Sequence, residues 1–432
     1  MDKKYNFREI FEERLPPDRA LFISKMGAAA GECGFRAFIV GGSVRDLLMG
    51  CAVKDIDLTI EGDAEEFARK LLGEFKGKIV AHSRFKTASV FFRDGSRLDI
   101  STARKEKYKR PAELPEVVSS SIYSDLYRRD FTVNALAVSI NPGSFGRLID
   151  CFNGLEDLRE GVIRVLHEKS FEDDPTRIFR AVRFAQRLGF RIEERTEALI
   201  RAAVCNRLCG ALSGRRLRNE IELLLSEPDP VSAAKKMREY GIEKCIHRKL
   251  RVAAAEIGSL EKLRAIIPAA GGAAPDKGFR PWLVYFMGLL RGQDKETLRE
   301  ISKRLMLSTK ERTALLSLPK ADSMAKTLNS VEILPCSRVY SLLKGEPPEF
   351  LVVILSMTGI EKAKIILEKL VYSLGVKTET TGKDLLDMGF KPGPGIQAIL
   401  DEVLKARIDG ALKNKKEESD FILGKFKKES GN

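Results

Sequence analysis

Residues 38–57 read FIVGGSVRDLLMGCAVKDID. An apolar run, Phe38-Ile39-Val40, meets the turn Gly41-Gly42-Ser43, then a short helical stretch, then Asp55-Ile56-Asp57. Alternate side chains of a β-strand share a face, so a strand here points Asp55 and Asp57 to one side and Ile56 and Leu58 to the other. Two carboxylates held side by side repel unless a cation sits between or beside them. Mg²⁺ suits such a pair, because it takes oxygen ligands and is usually held by one or two carboxylates plus substrate phosphates. The glycine turn supplies what phosphates need, bare backbone N–H groups at a helix N-terminus. Taken alone, a DxD strand is more often a solvated face, and a GGS more often a simple turn. Together, in strand–turn–helix–strand order, they read as phosphoryl or nucleotidyl transfer.

The rest of the chain bounds that reading. With 432 residues it is long enough for two or more domains. Its hydrophobic fraction of 44% is ordinary for a protein with real cores. Lys and Arg outnumber Asp and Glu by 75 to 61, a net charge of +14 that favours a polyanion such as nucleic acid over a neutral partner. No apolar stretch reaches membrane-spanning length, and the start, MDKKYNFREIFEERL, lacks the apolar core of a signal peptide. No membrane and a cytoplasmic location are therefore expected. Seven scattered cysteines without a CxxC argue against a disulfide framework and against a zinc site. Only His82, His167 and His247 are present, too few for a histidine-rich centre, and each is expected at the surface or in a structural role.

Up to about residue 145, strand-like and helix-like segments alternate. A helix at 17–33 precedes the strand at 36–40, and another at 63–75 follows the DID strand. Thr87 to Ile100 contains two extended runs joined by Asp94-Gly95, a strong hairpin signal. On the second run Leu98 and Ile100 share one face and Asp99 the other, so a third carboxylate reaches the side of Asp55 and Asp57. Arg104 to Arg110, RKEKYKR, opens a Pro-containing stretch to Ser121 that reads as a solvated connection rather than a basic loop near substrate. From about 160 onward helical periodicity dominates: 174–190, 193–207, 213–226, 231–240 and most of 255–415. Residues 271–275 read as a loop, Glu346-Pro347-Pro348 as a helix break, and the charged end as fraying. A mixed α/β head followed by a long helical remainder is the expected architecture.

Two further motifs carry chemistry. Arg128-Arg129-Asp130, with Asn134 just beyond, places guanidinium groups suited to bidentate contact with phosphate or sugar oxygens, although RRD alone is a common surface cluster. In DDPTRIFRAVRF (173–184) the Asp-Pro step opens a helix with Pro at its first position, and Ile178, Val182 and Ala185 form the core stripe. Asp174, Arg177, Arg180 and Arg183 recur every three residues on the remaining surface. The bland meaning is a capping Asp before an Arg-rich exposed face. The sharper meaning is base recognition: Asp accepts from an amino group and Arg donates to a ring nitrogen. Such a pair fits the Watson–Crick edges of cytosine and adenine and rejects uracil and guanine, which present a carbonyl where Asp needs a donor.

GGSVRDLL with DID (41–57), RRDFTVNALA (128–137), DCFNGLEDLREGVIRV (150–165), DDPTRIFRAVRFAQRLGF (173–190) and SGRRLRNEI (213–221) together resemble the bacterial class II tRNA nucleotidyltransferases and their relatives, the bacterial poly(A) polymerases. Both belong to the DNA polymerase β nucleotidyltransferase superfamily. The stretch 381–410 resembles the C-terminal helical region of the tRNA branch, whereas 245–380 carries no diagnostic motif. The resemblance implies an α+β head of nucleotidyltransferase fold (1–145), then an all-α neck (146–240), body (241–380) and tail (381–432). It implies Asp55 and Asp57 as Mg²⁺ ligands; Asp99, brought to their side by strand alternation, is either a third catalytic carboxylate or an exposed edge-strand Asp. Gly42 and Arg45, on and after the turn Gly41-Gly42-Ser43, fall to the triphosphate. Arg129, with Arg128 beside it, falls to the ribose region, and Gly41, Ser43, Asp130 and Asn134 count as nucleotide-binding. Asp174 and Arg177 fall to the base, with Arg180 and Arg183 reaching the phosphates or lining the same pocket. The family's usual Glu-Asp is here Asp173-Asp174, which leaves the role of the first acid open. Residues 150–164 are implied to reorient the base-reading pair. The implied activity is template-independent addition of CMP and AMP to the 3′ end of tRNA. Its partners are CTP, ATP and the tRNA acceptor and T arm, with no membrane and no obligatory protein partner. The rivals are A-only or CC-only addition, poly(A) synthesis, and a non-catalytic RNA-binding protein on the same fold. The presence of the 104–121 loop weighs against CC-only addition, and no His–Asp pair suggests a second, hydrolytic site.

Overall fold

A computed structural model describes residues 6–53, 56–75, 77–82, 86–93, 97–107, 113, 115–273, 278–330 and 334–426. It divides into two units, Met1–Cys245 and Ile246–Asn432. The first unit opens on helices α1 (Phe7–Arg14) and α2 (Pro17–Glu32), then strand β1 (Arg36–Val40), α3 (Gly42–Leu48), β2 (Asp57–Glu61), α4 (Ala64–Glu74), β3 (Gly77–His82), β4 (Thr87–Phe92) and β5 (Arg97–Thr102). After a small ribbon of β6 (Arg104–Lys107) and β7 (Glu116–Ser119) come α5 (Ile122–Tyr127), β8 (Leu136–Ser139) and β9 (Leu148–Asp150). The main sheet has seven strands in the order β3-β4-β5-β2-β1-β8-β9. β2 and β5 run parallel and the other neighbours antiparallel, so the sheet is mixed.

Both faces of this sheet are covered, which explains why β1 reads as an unbroken apolar run. Ala37 and Ile39 join Leu58, Ile60, Leu98 and Ile100 in a core beneath α1, α2 and α4. Phe38 and Val40 turn the other way, into a cluster with Ile122 and Leu126 of α5. The period of two therefore carries Asp57 and Asp99 to the α5 face of the sheet. The hairpin read from Thr87 to Ile100 is present, with Ala88 opposite Ile100 and Val90 opposite Leu98, while Asp94 and Gly95 lie outside the described residues.

Several elements differ from expectation. β6 and β7 pair where a solvated connection was read; the charges of Arg104–Lys107 masked a strand whose alternate residues are half-buried. β3 escaped notice because, as an edge strand, it has no fully buried residue. Beyond β9, α6 (Gly154–Glu160) leads to β10 (Val162–Ile163), α7 (Ser170–Asp173), α8 (Thr176–Leu188) and β11 (Arg191–Ile192). β10 and β11 pair in parallel outside the ranges read as helical, where strand signals fade, each too short to show a period. α9 (Glu194–Cys205), α10 (Gly214–Leu225) and α11 (Pro230–Tyr240) follow as read. Cys209 and Cys245 form a disulfide, a pairing that the scattered spacing did not suggest.

The described elements of the second unit are all helices, joined by loops. The helix Ala254–Ala273 runs through the residues expected to begin a loop, and the break at Glu346-Pro347-Pro348 separates Cys336–Leu343 from Pro348–Leu355. Near the end, Leu385, Val403 and Ile422 share a small core. The buried Glu418 carboxylate there accepts from the Thr380 N–H at 2.7 Å and pairs with Arg407. Among the described residues, no helix is long and apolar enough to cross a membrane.

Candidate active site

Val40 lies mid-sheet, and the chain must leave it at once for α3. Gly41 makes that turn at φ 71°, in the left-handed region where a side chain is strained. A Cβ there would also come within 2.5 Å of Arg129 Nη1, so glycine makes room for the guanidinium. The buried Ser43 hydroxyl accepts from the Asp57 N–H at 3.3 Å and ties the start of α3 to the start of β2. Asp57 is thereby the first residue of β2, exposed, in direct register with Asp99 on the parallel strand β5. Asp55 lies outside the described residues, and so does its proposed pairing with Asp57. Asp99 accepts from Ser89 Oγ at 2.5 Å and from Arg97 Nε at 2.9 Å.

A cavity of about 490 Å³ opens beside these carboxylates. Gly42, Arg45, Asp57, Arg128, Arg129, Asp130, Asn134, Asp174, Arg177 and Arg180 line it, so the structure gathers most of the sequence-proposed residues. Asp99 and Arg183 do not line it. For Arg183 the reason is helical pitch: at 3.6 residues per turn, each step of three drifts by about 60°, and two steps from Arg177 leave the face. Arg183 is instead buried against Glu227 at 3.8 Å and Glu220 at 4.0 Å. Seven residues beyond Arg180, Arg187 returns to the cavity. Arg177 and Arg183 are 5% and 6% exposed, which excludes the bland reading of an Arg-rich exposed face for them.

So many cations hold together because buried acids interleave with them. Asp125, with no exposed surface, accepts from Arg128 Nε and Nη2 at 2.9 and 2.7 Å and from Arg129 Nη2 at 3.0 Å. Burial pushes the Asp125 carboxyl up, but the charges and hydrogen bonds of Arg129 and Arg128 outweigh it and hold it below the usual carboxylate range. Glu106 on β6 accepts from Arg128 Nη1 at 3.1 Å. Asp130 binds Arg180 through Nε and Nη2 at 2.8 and 2.6 Å and accepts from Asn134 at 3.0 Å. Asn134 in turn accepts from Arg45 Nη1 at 2.5 Å. Asp130 and Asn134 thus face the arginines as well as the cavity. Arg129 Nε is buried with no hydrogen-bond partner among the described residues, a donor suited to an anionic oxygen.

Asp174 precedes Pro175, and α8 begins only at Thr176, one residue later than expected. Its Oδ1 accepts from the Thr176 N–H at 3.0 Å, Thr176 Oγ1 at 2.6 Å and Arg216 Nη2 at 2.7 Å. The capping role and the cavity position therefore coexist in one carboxylate, whose Oδ2 has no hydrogen-bond partner among the described residues. Arg177 is fixed by the Arg128 carbonyl at 2.6 Å and Ser170 Oγ at 2.7 Å. Asp150 caps α6, accepting from Gly154 and Leu155 N–H at 2.9 Å each, and Arg164 bonds Asp157. The first acid of the pair, Asp173, has its carboxyl raised, chiefly by burial. Sequence reading missed Asp125, Glu106, Arg187 and Arg216, whose partners are mostly distant along the chain.

Residues 37–164 match the family described as the Poly A polymerase head domain, and residues 189–251 match the probable RNA and SrmB-binding site of polymerase A. An A-adding tRNA nucleotidyltransferase of Halalkalibacterium halodurans is 32% identical over 96% of this chain and 95% of its own length. The chain belongs to the tRNA nucleotidyltransferase family. A second A-adding relative, from Geobacter sulfurreducens, is 36% identical over 95% of this chain, which spans only 47% of that protein. The solved Thermotoga maritima CCA-adding enzyme complexed with tRNA shares the fold at a TM-score of 0.82 and 34% identity, covering 98% of each chain. This nucleotidyltransferase is accordingly an enzyme with a mixed-sheet head, and its superfamily generally uses a divalent metal. Asp57 fits a hard cation: it is exposed at the head of β2, offers only oxygens and lines the cavity.

Proposed function

We propose that the enzyme adds CMP and AMP to the 3′ end of tRNA without a nucleic-acid template. One observation carries this: the Asp174 acceptor and the Arg177 donor line the same cavity as Asp57 and the arginine cluster. An acceptor beside a donor matches cytosine (N4 and N3) and adenine (N6 and N1), so the protein itself selects the base. Arg45, Arg129 and Arg180 would hold the triphosphate, the buried Arg129 Nε gaining the partner it lacks. Arg128 would lie by the ribose. Gly41 and Ser43 shape the turn beneath the phosphates.

The RNA 3′-oxygen attacks the α-phosphorus, the α–β phosphoanhydride bond breaks, and pyrophosphate leaves. Mg²⁺, held by Asp57 and Asp55, would supply the charge that favours the alkoxide and neutralises the leaving group. The residues around it hold both reactants in line, which is most of what phosphoryl chemistry asks of a protein. The neck, body and tail (146–240, 241–380 and 381–432) would grip the acceptor and T arm. The net charge of +14 supports such a polyanionic partner, and a cytoplasmic location belongs to the same reading. Solved CCA-adding enzymes similar to this chain hold CTP or ATP, in support of both nucleotides.

The names of the two A-adding relatives favour a second reading, in which AMP alone is added. Incubation with tRNAs ending before C, after C and after CC, with each NTP separately, separates the readings. Two C additions followed by one A support the proposal. AMP added only to the CC-ended tRNA selects the second reading, and a long A tract would overturn both.

A further inference from the structure

A second cavity, of about 530 Å³, shares Glu106, Arg128 and Arg177 with the first, but its chemistry differs. Tyr123 and Tyr127 stand one turn apart on α5 and are 54% and 46% exposed, unusual for rings of that size in adjacent positions. Phe152 braces both from beside them, at 5.3 and 5.7 Å between centroids. His167 lies over Tyr127 at 5.1 Å with 30° between the planes. Lys105 and Lys169 add cations to the lining, beside the carboxylates of Glu168 and Asp173. Burial, then the charge of Arg177, push the His167 imidazole down to about 4, so it is neutral near pH 7 and offers one donor and one acceptor.

None of the roles assigned above uses these rings. Nucleotidyl transfer needs a second occupant beside the triphosphate, because the attacking oxygen must come within about 3–3.5 Å of the reacting phosphorus. The chain end that supplies it therefore lies beside the incoming nucleotide, and the second cavity adjoins the first through three shared side chains. Exposed aromatic rings flanked by cations hold unpaired nucleic acid through stacking and phosphate attraction, without reading its sequence. We infer that the Tyr123–Tyr127 shelf, closed by His167, seats the unpaired 3′-terminal nucleotide of the RNA being extended. The inference rests on the proposed action at an RNA 3′ end.

The full-length protein carrying Tyr123→Ala and Tyr127→Ala together tests it, against Tyr123→Phe with Tyr127→Phe. With CC-ended tRNA and ATP, the alanine pair is expected to raise KM for tRNA roughly tenfold or more. KM for ATP and the thermal midpoint stay unchanged, and the phenylalanine pair behaves as wild type because its rings still stack. A raised KM for ATP with that for tRNA unchanged would place the incoming base on the shelf and overturn the inference, as would no change in either. Direct titration with a short single-stranded RNA ending in CC is read in parallel. If the wild type extends no tRNA, the functional reading fails by itself. The shelf is then judged by that titration: equal RNA affinity in wild type and alanine pair rejects it, and weaker binding by the alanine pair alone sustains it.

Discussion

One carboxylate oxygen, Asp130 Oδ2, accepts from both Nε and Nη2 of Arg180, at 2.8 and 2.6 Å, across fifty residues of sequence. The pair joins the loop after α5 to α8, and through Asn134 it reaches Arg45. Burial pushes the Asp130 carboxyl up, but the charge of Arg180 and the bonds from Asn134 and Arg180 prevail and hold it low. Asp130→Ala should strand a guanidinium that keeps only a third of its side chain in solvent. A loss of about 2–4 kcal/mol is expected in urea unfolding, together with a raised KM for nucleotide. A variant of unchanged stability would show that the bond is not part of what holds α8 in place.

Asp57 is exposed at the head of β2, with the cavity before it and Asp99 beside it. Asp57→Asn keeps the shape and removes the charge that a divalent cation needs. Nucleotidyl transfer should fall by several orders of magnitude while tRNA affinity, measured by gel shift, survives. Full activity would sink the metal assignment. Asp99→Asn should be milder, since that carboxylate is already committed to Ser89 and Arg97.

Much of this site was legible because its signals are local. The turn at Gly41, the alternation through Asp57 and the pairing of β4 with β5 each follow from neighbours a few residues apart. What escaped was mostly non-local, Asp125 excepted, whose arginines stand three and four residues on. Glu106 and Arg128 meet across 22 residues and Asp174 and Arg216 across 42, and no period announces either contact. Arg183 shares the three-residue spacing of Asp174, Arg177 and Arg180, but the true pitch of 3.6 favours Arg187. An Arg-rich exposed face stayed open as the bland reading of these arginines because sequence shows charge but not the acids that arrive from elsewhere to neutralise it. β6 was hidden for the same reason, its half-buried Glu106 being paired with arginines rather than solvated.

Arg177 is held from two sides, by the Arg128 carbonyl and Ser170, with Asp174 on the same cavity. Arg177→Ala removes the donor proposed for the ring nitrogen of the base and leaves the acceptor in place. Discrimination against UTP and GTP should weaken by one to two orders of magnitude, read as the ratio of kcat/KM values, since one good base contact contributes about 1–3 kcal/mol. Arg177→Lys should restore charge but not selectivity, because an ammonium lacks the planar fork. Unchanged rejection of UTP and GTP in both variants would remove Arg177 from base choice.

His167 makes stability depend on pH in a predictable direction. Its imidazole is lowered from 6.5 to about 4, first by burial and then by the Arg177 charge, even with Asp173 at 3.8 Å. Between those values the unfolded chain binds a proton that the folded protein does not, so stability rises with pH across that window. The contribution is fully present above about 6.5, is lost progressively as pH falls toward 4, and changes no further below it. Urea midpoints should therefore drop between pH 7 and pH 5 in the wild type. The drop should be smaller in His167→Gln, which keeps a hydrogen-bonding group but cannot take up the proton. Parallel curves for the two proteins would show that His167 titrates normally in the folded state, and that Tyr127 and Arg177 leave it open to solvent.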